Sequence, residues 1–286
     1  MMKYWLIQKT TINGFIKGMK VKGAHMDKGY SDFISRMNQM IGIDLSLYKE
    51  AQMKRRITSL RNKRGFENFS SYFQALKKDQ ILLDEFIDRL TINVSEFYRN
   101  PKRWEVLQEK VIPHLIHDKD KLTIWSAACS TGEEPYSLAI MLKERFPRLQ
   151  VQILATDIDK GALNKAKQGV YKEQSLKDLP HIYKNKYFIQ KNGLCYLNEK
   201  IKKMVNFKGH NLLADRYPQN IDLIICRNVL IYFTDEAKQE IYTNFSHSLN
   251  PDGVLFVGST EQIFSPDQYN LSVFDTFFYK KEPQNE

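Results

Sequence analysis

The feature that most constrains the fold is a regular alternation of apolar runs and helical patterns after Pro113. The strand-like runs read LTIWSAA, VQILATDID, IDLIICRN and GVLFVGST. Helical patterns follow the first three of them, in EEPYSLAIMLKERF, KGALNKAKQG and DEAKQEIYTNFSHSL. Strands that alternate with helices form a mainly parallel sheet with helices on both faces. The sequence therefore predicts an α/β domain, with one or two more strands in NLSVFDTFFYKK.

Residues 170–205 break this alternation. The stretch YFIQKNGLCYL places Asn192-Gly193 between two short apolar runs, which is a strong signal for a tight hairpin. We therefore predict a small β-hairpin subdomain inserted at 170–205.

The segment before the α/β domain is helical throughout. From Tyr30 to about Asn100, apolar residues recur at helical spacing in FISRMNQMIGI, MKRRITSL and LLDEFIDRL. A domain of about seventy residues is near the lower limit for independent folding, so this one is expected to lean on its neighbour. The predicted division is a helical N-terminal domain at 26–100 and a second domain at 101–286.

The net charge of +10 is concentrated in the first residues of the chain. Residues 1–25 hold five lysines and no acid, which leaves +5 for the rest. This segment ends in GAHM, similar to a cloning scar, and lacks the apolar core of a signal peptide. We expect 1–25 to be a non-native or disordered extension. The remainder is only mildly basic, which weakens the case for a nucleic-acid partner.

The cysteines and histidines indicate the cellular compartment of the protein and whether its sequence contains a metal site. Cys129, Cys195 and Cys226 are far apart and form no CxxC pair, which is typical of reduced thiols in a cytoplasmic protein. His114 and His117 are three residues apart, which fits two surface helix histidines better than a metal pair. No apolar run reaches eighteen residues, so no membrane insertion is expected. A cytoplasmic protein without a bound metal is predicted.

The loop SAACSTGEEPYS (126–137) joins the first predicted strand to its helix. Small residues at this place let a backbone approach a nucleotide closely. However, the loop has one glycine, and its two carboxylates would repel a pyrophosphate. They suit a positively charged ligand, such as an ammonium or a sulfonium, although acids in a first turn also favour the helix dipole. One of the two adjacent glutamates, Glu133 or Glu134, can therefore serve the helix start, which leaves the other for a ligand.

Asp157 ends the second predicted strand, 25 residues after Gly132. At about this separation an acidic residue accepts hydrogen bonds from ribose hydroxyls in dinucleotide-binding folds. A solvated strand-end aspartate is the alternative. S-adenosylmethionine carries a ribose, an ammonium and a sulfonium, and so it satisfies both Asp157 and the acidic loop. The sequence predicts it as the cofactor.

ACSTGEEPYS, ATDID and CRNVLIYF, with TINVSEFYRN at 91–100, resemble the CheR-type chemotaxis receptor methyltransferases. The resemblance covers about residues 30–280. It implies a small all-helical domain followed by a Rossmann-like class I S-adenosylmethionine-dependent methyltransferase domain with an inserted small β subdomain. The implied activity is O-methylation of glutamate side chains on cytoplasmic helices of chemotaxis receptors. Its products would be glutamate methyl esters and S-adenosyl-L-homocysteine, and its role sensory adaptation.

The resemblance also implies the site residues. Cofactor-binding roles fall on Asn93, Ser95, Arg99, Glu134, Asp157, Asn211, Leu212, Arg227 and Asn228. Arg99 and Tyr232 are the implied catalytic pair, beside the methyl group and the incoming carboxylate. Leu212 as plain core and Arg227 as a structural ion-pair member remain alternatives. Because a glutamate carboxylate with a pKa of about 4.3 is already a nucleophile near neutral pH, the reaction needs no general base.

A basic run, MKRRITSLRNKR (53–64), is the candidate for substrate docking. Its apolar residues Met53, Ile57 and Leu60 share one helical face, while six basic residues flank that face. The tentative docking residues are Lys54, Arg55, Arg56 and Arg61. Such a run also fits a solvated face or nucleic acid. The hairpin is short beside the glycine-rich loop with which some family members hold a receptor C-terminal peptide, so tethering of that kind is not expected.

Three other functions compete with this reading. A nucleic-acid methyltransferase on the same fold is the leading rival, but RNVLIYF lacks the Asn-Pro-Pro-aromatic pattern of many amino-group methylases. A nicotinamide-dependent oxidoreductase would need the glycine fingerprint that the first loop lacks. A cofactor-binding sensor without activity is disfavoured by the presence of Arg99 and Tyr232.

Overall fold

The computed structural model describes residues 28–91, 93, 95–117 and 119–283. The expected extension at 1–25 lies outside the described residues. Within the described ranges, no helix is both long and apolar enough to cross a membrane.

The described N-terminal residues, 28–91, form four α-helices and one short 3₁₀ helix. They are α1 (Lys28–Ile41), the 3₁₀ helix Leu45–Leu47, α2 (Glu50–Lys63), α3 (Phe69–Lys78) and α4 (Gln80–Leu90). Asn68 and Asp79 cap α3 and α4, since their side chains accept from backbone N–H groups of the first turns. The helices enclose an aromatic core whose centre is Phe33, stacked on Tyr72 with ring centroids 5.9 Å apart.

A bent helix leads from this group into the sheet. Pro101 starts α5 (Pro101–Val106), consistent with the preference of proline for the first helical turn. The chain continues through a π-helical stretch, Leu107–Val111, into α6 (Ile112–Leu115). The helical core ends at Leu90 and the next core begins with Phe97. The chain therefore passes from the helical core to the core of the second domain a few residues before position 100.

The described residues of the second part contain ten strands. They are β1 (Lys121–Ala127), β2 (Gln150–Asp157), β3 (Val170–Lys172), β4 (Phe188–Lys191), β5 (Leu194–Leu197), β6 (Val205–Gly209), β7 (Ile221–Cys226), β8 (Leu249–Val257), β9 (Leu271–Asp275) and β10 (Phe278–Lys281). Seven form one sheet in the order β6-β2-β1-β7-β8-β10-β9. The first five of these are parallel, and β10 pairs antiparallel with both β8 and β9.

Helices cover both faces of this sheet. The remaining helices of this part are α7 (Glu133–Arg145), α8 (Lys160–Gln168), α9 (His181–Tyr187), α10 (Glu199–Lys202) and α11 (Asp235–Ser248). Side chains of β1 alternate between two cores: Ile124 belongs to the core that contains α7 residues, and Trp125 to the core that contains Phe245 of α11. The predicted Rossmann-like α/β fold is thus confirmed.

Strand β6 at the sheet edge was missed by the sequence prediction. Its residues VNFKG are mostly exposed or half-buried, because one long side of an edge strand meets no neighbouring strand. The apolar signal of a buried strand is therefore weak there.

The inserted unit is a three-stranded antiparallel sheet in the order β3-β5-β4. Asn192 (φ 52°) and Gly193 (φ 73°) both adopt left-handed backbone conformations between β4 and β5. This is the geometry of a type I′ turn, which explains why Asn-Gly predicted the hairpin correctly. The third strand, β3, was not predicted.

The strand order places a crevice at the end of the sheet. The chain moves outward from β1 to β2 and β6, then returns to β7 and continues to β8 on the other side. The connections that follow β1 and β7 therefore run to opposite sides of the sheet. Where the connections of two adjacent parallel strands diverge in this way, a crevice opens at the carboxyl ends of the strands, here between β1 and β7.

The helical domain docks beside this opening through backbone hydrogen bonds. Lys49 N–H donates to the Tyr232 carbonyl (2.8 Å), and Thr234 N–H donates to the Leu47 carbonyl (2.9 Å). The opening is therefore bordered by both domains.

Candidate functional site

One large cavity opens at the carboxyl ends of β1, β2 and β7, and residues of the helical domain form its opposite wall. Its lining combines residues of both domains with the strand ends of the sheet, the usual place for a ligand in this fold. Every residue expected to bind cofactor or act in catalysis lines it: Asn93, Ser95, Arg99, Glu134, Asp157, Asn211, Leu212, Arg227, Asn228 and Tyr232. Residues up to 139 positions apart are thus gathered around one space.

The loop between β1 and α7 turns through several left-handed positions. Ala128 (φ 55°), Ser130 (φ 49°) and Gly132 (φ 91°) all have positive φ. At Gly132 an added Cβ would lie 2.9 Å from Cβ of Ala166, so the one glycine of the loop stands where a side chain would clash. The tight path turns the Ser130 N–H toward β2.

Asp157 receives that N–H group. Its carboxylate accepts from Ser130 N (2.7 Å) and from Asp159 N (2.9 Å), one bond to each oxygen. Burial raises the pKa of Asp157 to about 6, despite these two bonds. A carboxylate has about four acceptor sites, so this oriented group can accept further hydrogen bonds from a ligand.

Asn93 ties the segment between the domains to the same loop. Its Oδ1 accepts from Ser130 Oγ (2.7 Å), and its Nδ2 donates to Asp159 Oδ2 (2.7 Å). Thr91 Oγ1 donates to the same Asp159 oxygen (2.8 Å). Both ends of the Asn93 amide are therefore used in positioning the loop.

The sequence reasoning missed Asp159 and Thr91. Asp159 is buried and also caps α8 by accepting from Ala162 N (3.0 Å). A signal was available, since an aspartate just before a helical pattern is a common N-cap.

Glu134 and Arg227 form a buried ion pair in the cavity wall. Arg227 Nη1 lies 3.6 Å from Glu134 Oε2, and Ser126 Oγ donates to Glu134 Oε1 (2.9 Å). Burial raises the pKa of Glu134 and lowers that of Arg227, while each charge opposes the shift of the other. Among the described residues, the buried Arg227 Nε has no hydrogen-bond partner.

Arg227 is also fixed from other directions. Its Nη2 donates to the Arg99 carbonyl (3.1 Å) and to Asn100 Oδ1 (2.9 Å), and its guanidinium lies 4.7 Å from the Phe256 ring centroid. Arg227 is therefore a member of a structural ion pair, as the alternative interpretation of the sequence predicted. Arg227 positions the Arg99 backbone while it lines the cavity.

The neighbouring acid, Glu133, occupies a different environment. It is buried outside the cavity, at the first position of α7, and accepts from Thr131 Oγ1 (2.7 Å). The two glutamates are therefore separated as expected, with Glu134 in the cavity wall and Glu133 at the helix start.

Asn211 and Leu212 follow β6 and form another part of the wall. Asn211 Nδ2 donates to the Gly42 carbonyl of the helical domain (3.1 Å), and its Oδ1 accepts from Leu213 N (3.0 Å). Leu212 is almost fully buried and packs in the core shared with α11. Asn211 thus links the cavity to the helical domain.

The segment after β7 is held by Glu261, a residue that the sequence reasoning missed. Its Oε2 accepts from Asn228 N (2.7 Å) and Gly258 N (2.8 Å), and its Oε1 accepts from Leu230 N (2.7 Å) and Ile231 N (3.3 Å). Asn228 adopts φ 62° within this arrangement. Glu261 lies 33 residues beyond Asn228 in GSTEQI, so no local motif announces it.

Tyr232 lies near two cationic groups, Arg56 and Arg99. The Arg56 guanidinium is 5.7 Å from its ring centroid, and Arg56 Nη1 donates to the Leu90 carbonyl (2.6 Å). Burial raises the pKa of Tyr232, while the charges of Arg56 and Arg99 act to lower it. Two guanidinium groups and a phenol in one wall can accommodate a carboxylate.

The tentative docking residues take different environments. Arg56 lines the cavity, and Arg55 is exposed. Lys54 Nζ lies 5.5 Å from the Tyr30 ring centroid, and the Arg61 guanidinium lies 4.6 Å from that of Phe69. Of the four, Arg55 is the fully exposed one and Arg56 the one that reaches the site.

Two protein-family models match the two parts of the chain that surround this cavity. The family model "CheR methyltransferase, SAM binding domain" matches residues 93–278, and "CheR methyltransferase, all-alpha domain" matches residues 28–91.

Similar proteins are named "Chemotaxis protein methyltransferase". The one from Listeria innocua is 46% identical over 257 residues, 90% of this chain and 98% of the relative. The one from Borreliella burgdorferi is 37% identical over 268 residues, 87% of this chain and 94% of the relative. The one from Escherichia coli is 34% identical over 240 residues, 79% of this chain and 82% of the relative.

Proposed function

The chain belongs to the CheR methyltransferase family, and on that premise we propose that it methylates glutamate side chains on cytoplasmic helices of chemotaxis receptors. It is an S-adenosylmethionine-dependent methyltransferase of chemotaxis, and S-adenosylmethionine is its cofactor. The proposal concerns the acceptor: a carboxylate that becomes a methyl ester.

The observation that carries this proposal is the position of Tyr232. Its ring lies beside the Arg56 guanidinium and near Arg99, whose charge acts on it, and the acidic residues Asp157 and Glu134 line the same cavity. The cavity lining thus offers both anionic and cationic groups to a ligand. A cationic cofactor and an anionic acceptor fit this lining.

The residues present fit the cofactor. Asp157 offers oriented carboxylate oxygens to ribose hydroxyls, and Glu134 offers a partly buried negative charge to a cationic group. Arg227, which lines the cavity, adds a positive charge that can interact with a ligand carboxylate. When bound, the cofactor supplies a methyl group on a positively charged sulfur.

The chain's own residues act by orientation and exclusion of water. A glutamate acceptor is ionised near neutral pH, so no residue has to remove a proton from it. Cys129, which lines the cavity, does not act as a base either, because burial raises the pKa of its thiol well above the usual value and keeps the thiol neutral. We assign Arg99 to orienting the acceptor carboxylate and Tyr232, protonated, to donating a hydrogen bond. Alignment and desolvation then lower the barrier.

The acceptor is proposed to reach this site from an acidic receptor helix in the cytoplasm. Arg55, exposed on α2 next to Arg56, is placed to attract such a helix while Arg56 faces the cavity. The short β4–β5 hairpin, with a two-residue turn, offers little for holding a receptor C-terminal peptide.

Transfer of labelled methyl groups tests the proposal. The protein is incubated with methyl-labelled S-adenosylmethionine and the cytoplasmic fragment of a chemotaxis receptor, and the product is treated with base. Label on the receptor that is released by base as volatile methanol is expected. Label that resists base, or label on added nucleic acid, would overturn the glutamate ester assignment.

A further inference from the structure

Tyr48 lines the cavity but belongs to none of the motif stretches on which the family resemblance rests. It lies between the 3₁₀ helix Leu45–Leu47 and α2, and so it belongs to the helical domain. Its side chain nevertheless packs against the cores of both domains and lines the cavity together with Asp157.

The position of Tyr48 is fixed by the backbone. Tyr48 forms an isolated β-bridge with Phe233, flanked by the bonds from Lys49 N to the Tyr232 carbonyl and from Thr234 N to the Leu47 carbonyl. The rings of Tyr48 and Phe233 meet edge to face with centroids 4.9 Å apart. The bridge fixes the backbone of Tyr48 and the ring contact fixes its side chain, and such pre-organisation lowers the entropy cost of a contact with a ligand.

The Tyr48 side chain is half-buried, and its hydroxyl, unlike that of Tyr30, is not among the inaccessible polar atoms that lack a partner in the described part of the chain. A tyrosine that lines a cavity can offer its hydroxyl to a ligand while its ring stays packed. Burial raises the pKa of Tyr48, and the nearby negative charge of Asp157 raises it further, so the hydroxyl remains a neutral donor.

We infer that Tyr48 binds the nucleoside part of the cofactor from the side of the helical domain, with its hydroxyl as a hydrogen-bond donor or acceptor to the ribose or adenine. Asp157 holds the ribose from the α/β domain, and Tyr48 faces the same region of the cavity. The cofactor thus lies between the two domains. The backbone hydrogen bonds at Tyr232 and Thr234 join these domains and so keep both sides of the cofactor site in place. The inference concerns the cofactor alone and does not depend on the methyl acceptor.

The test compares Tyr48→Phe with the wild type by titration calorimetry, with S-adenosylhomocysteine and with 5′-methylthioadenosine. The variant keeps the ring and its contact with Phe233, so it should fold normally. Loss of one hydrogen bond should weaken binding about threefold to tenfold. The factor should be the same for both ligands, because they share the nucleoside and differ in the amino-acid part.

Tyr30→Phe is the matched control. Tyr30 is also in the helical domain, and its buried hydroxyl lacks a partner in the described part of the chain, but it does not line the cavity. Its affinity for both ligands should equal that of the wild type. The inference is overturned if Tyr48→Phe binds both ligands as the wild type does, if it loses affinity for S-adenosylhomocysteine only, or if Tyr30→Phe loses as much. None of these results would bear on the identity of the acceptor.

Discussion

Glu134 and Arg227 lie 3.6 Å apart in the cavity wall, with 13% and 3% of their side chains exposed. Removal of one partner leaves the other as a buried charge, which commonly costs about 3–5 kcal/mol. We therefore expect Arg227→Met to lower the free energy of unfolding by about this amount in urea denaturation. The double variant Arg227→Met/Glu134→Gln should regain much of the loss, because no unpaired charge remains.

The control for this pair is Arg148→Ala. Arg148 is exposed, so its replacement should change the free energy of unfolding by less than about 0.5 kcal/mol. If Arg227→Met is as stable as Arg148→Ala, the ion pair does not stabilise the fold.

Asp157 should make cofactor binding dependent on pH. Its pKa of about 6 means that the carboxylate is ionised above this pH and protonated below it. Ribose hydroxyls donate best to the ionised form, so affinity for S-adenosylhomocysteine should fall as the pH falls from 7 to 5. In Asp157→Asn, affinity should be low, and its dependence on pH should be flatter over that range. Equal pH dependence in both proteins would assign the titration to another group.

Tyr232→Phe should separate turnover from cofactor binding. Loss of a hydrogen bond to the acceptor carboxylate should slow receptor methylation by on the order of tenfold. The dissociation constant for S-adenosylhomocysteine should change little, and Arg99→Ala should show the same bias toward turnover. Tyr196→Phe, on the inserted hairpin and partly exposed, is the control that should match the wild type in both measurements. Parallel losses of rate and affinity would contradict the roles assigned to Arg99 and Tyr232.

Arg55→Glu tests docking without disturbing the cavity. Arg55 is exposed, whereas Arg56 donates to the Leu90 carbonyl and lines the site, so reversing Arg56 would mix two effects. We expect Arg55→Glu to slow receptor methylation several-fold at low salt, and less at high salt, because screening weakens long-range attraction. Affinity for S-adenosylhomocysteine should not change.

Lys77→Glu makes the same charge change at an exposed position of α3. A rate reduced equally in the Lys77 and Arg55 variants would show an effect of total charge and not of α2.

Glu261→Gln should loosen the segment after β7. The carboxylate accepts from four backbone N–H groups, whereas a glutamine offers one oxygen and turns its NH₂ toward donors. Each buried donor left unsatisfied costs about 1–3 kcal/mol. We expect a lower melting temperature and a reduced rate of methyl transfer. Glu236→Gln, at an exposed position of α11, should leave both unchanged.

Local patterns predicted the elements correctly where one physical cause dominates. The alternation of apolar runs and helical patterns reflects burial on both faces of a parallel sheet, and Asn192-Gly193 reflects the two left-handed residues that a tight turn requires. The edge strand β6 escaped prediction because it buries few side chains.

Motif residues were found because they follow strand ends in the chain. Asp157 is the last residue of β2 and Glu134 follows the loop after β1, and parallel strands bring these ends together. Their roles toward the cofactor and the acceptor remain predictions that the variants above can test.

The sequence by itself determined the fold class, the helical domain ahead of the sheet, the family and its cofactor, because these depend on periodicity and on contiguous motifs. Only the tertiary structure decided that Glu261 holds the segment after β7, that Arg56 faces the cavity while Arg55 faces solvent, and that Tyr48 reaches the site from the other domain. The physical reason is that these contacts join residues far apart in the chain. Such pairings depend on how the domains dock, and a local pattern carries no record of that.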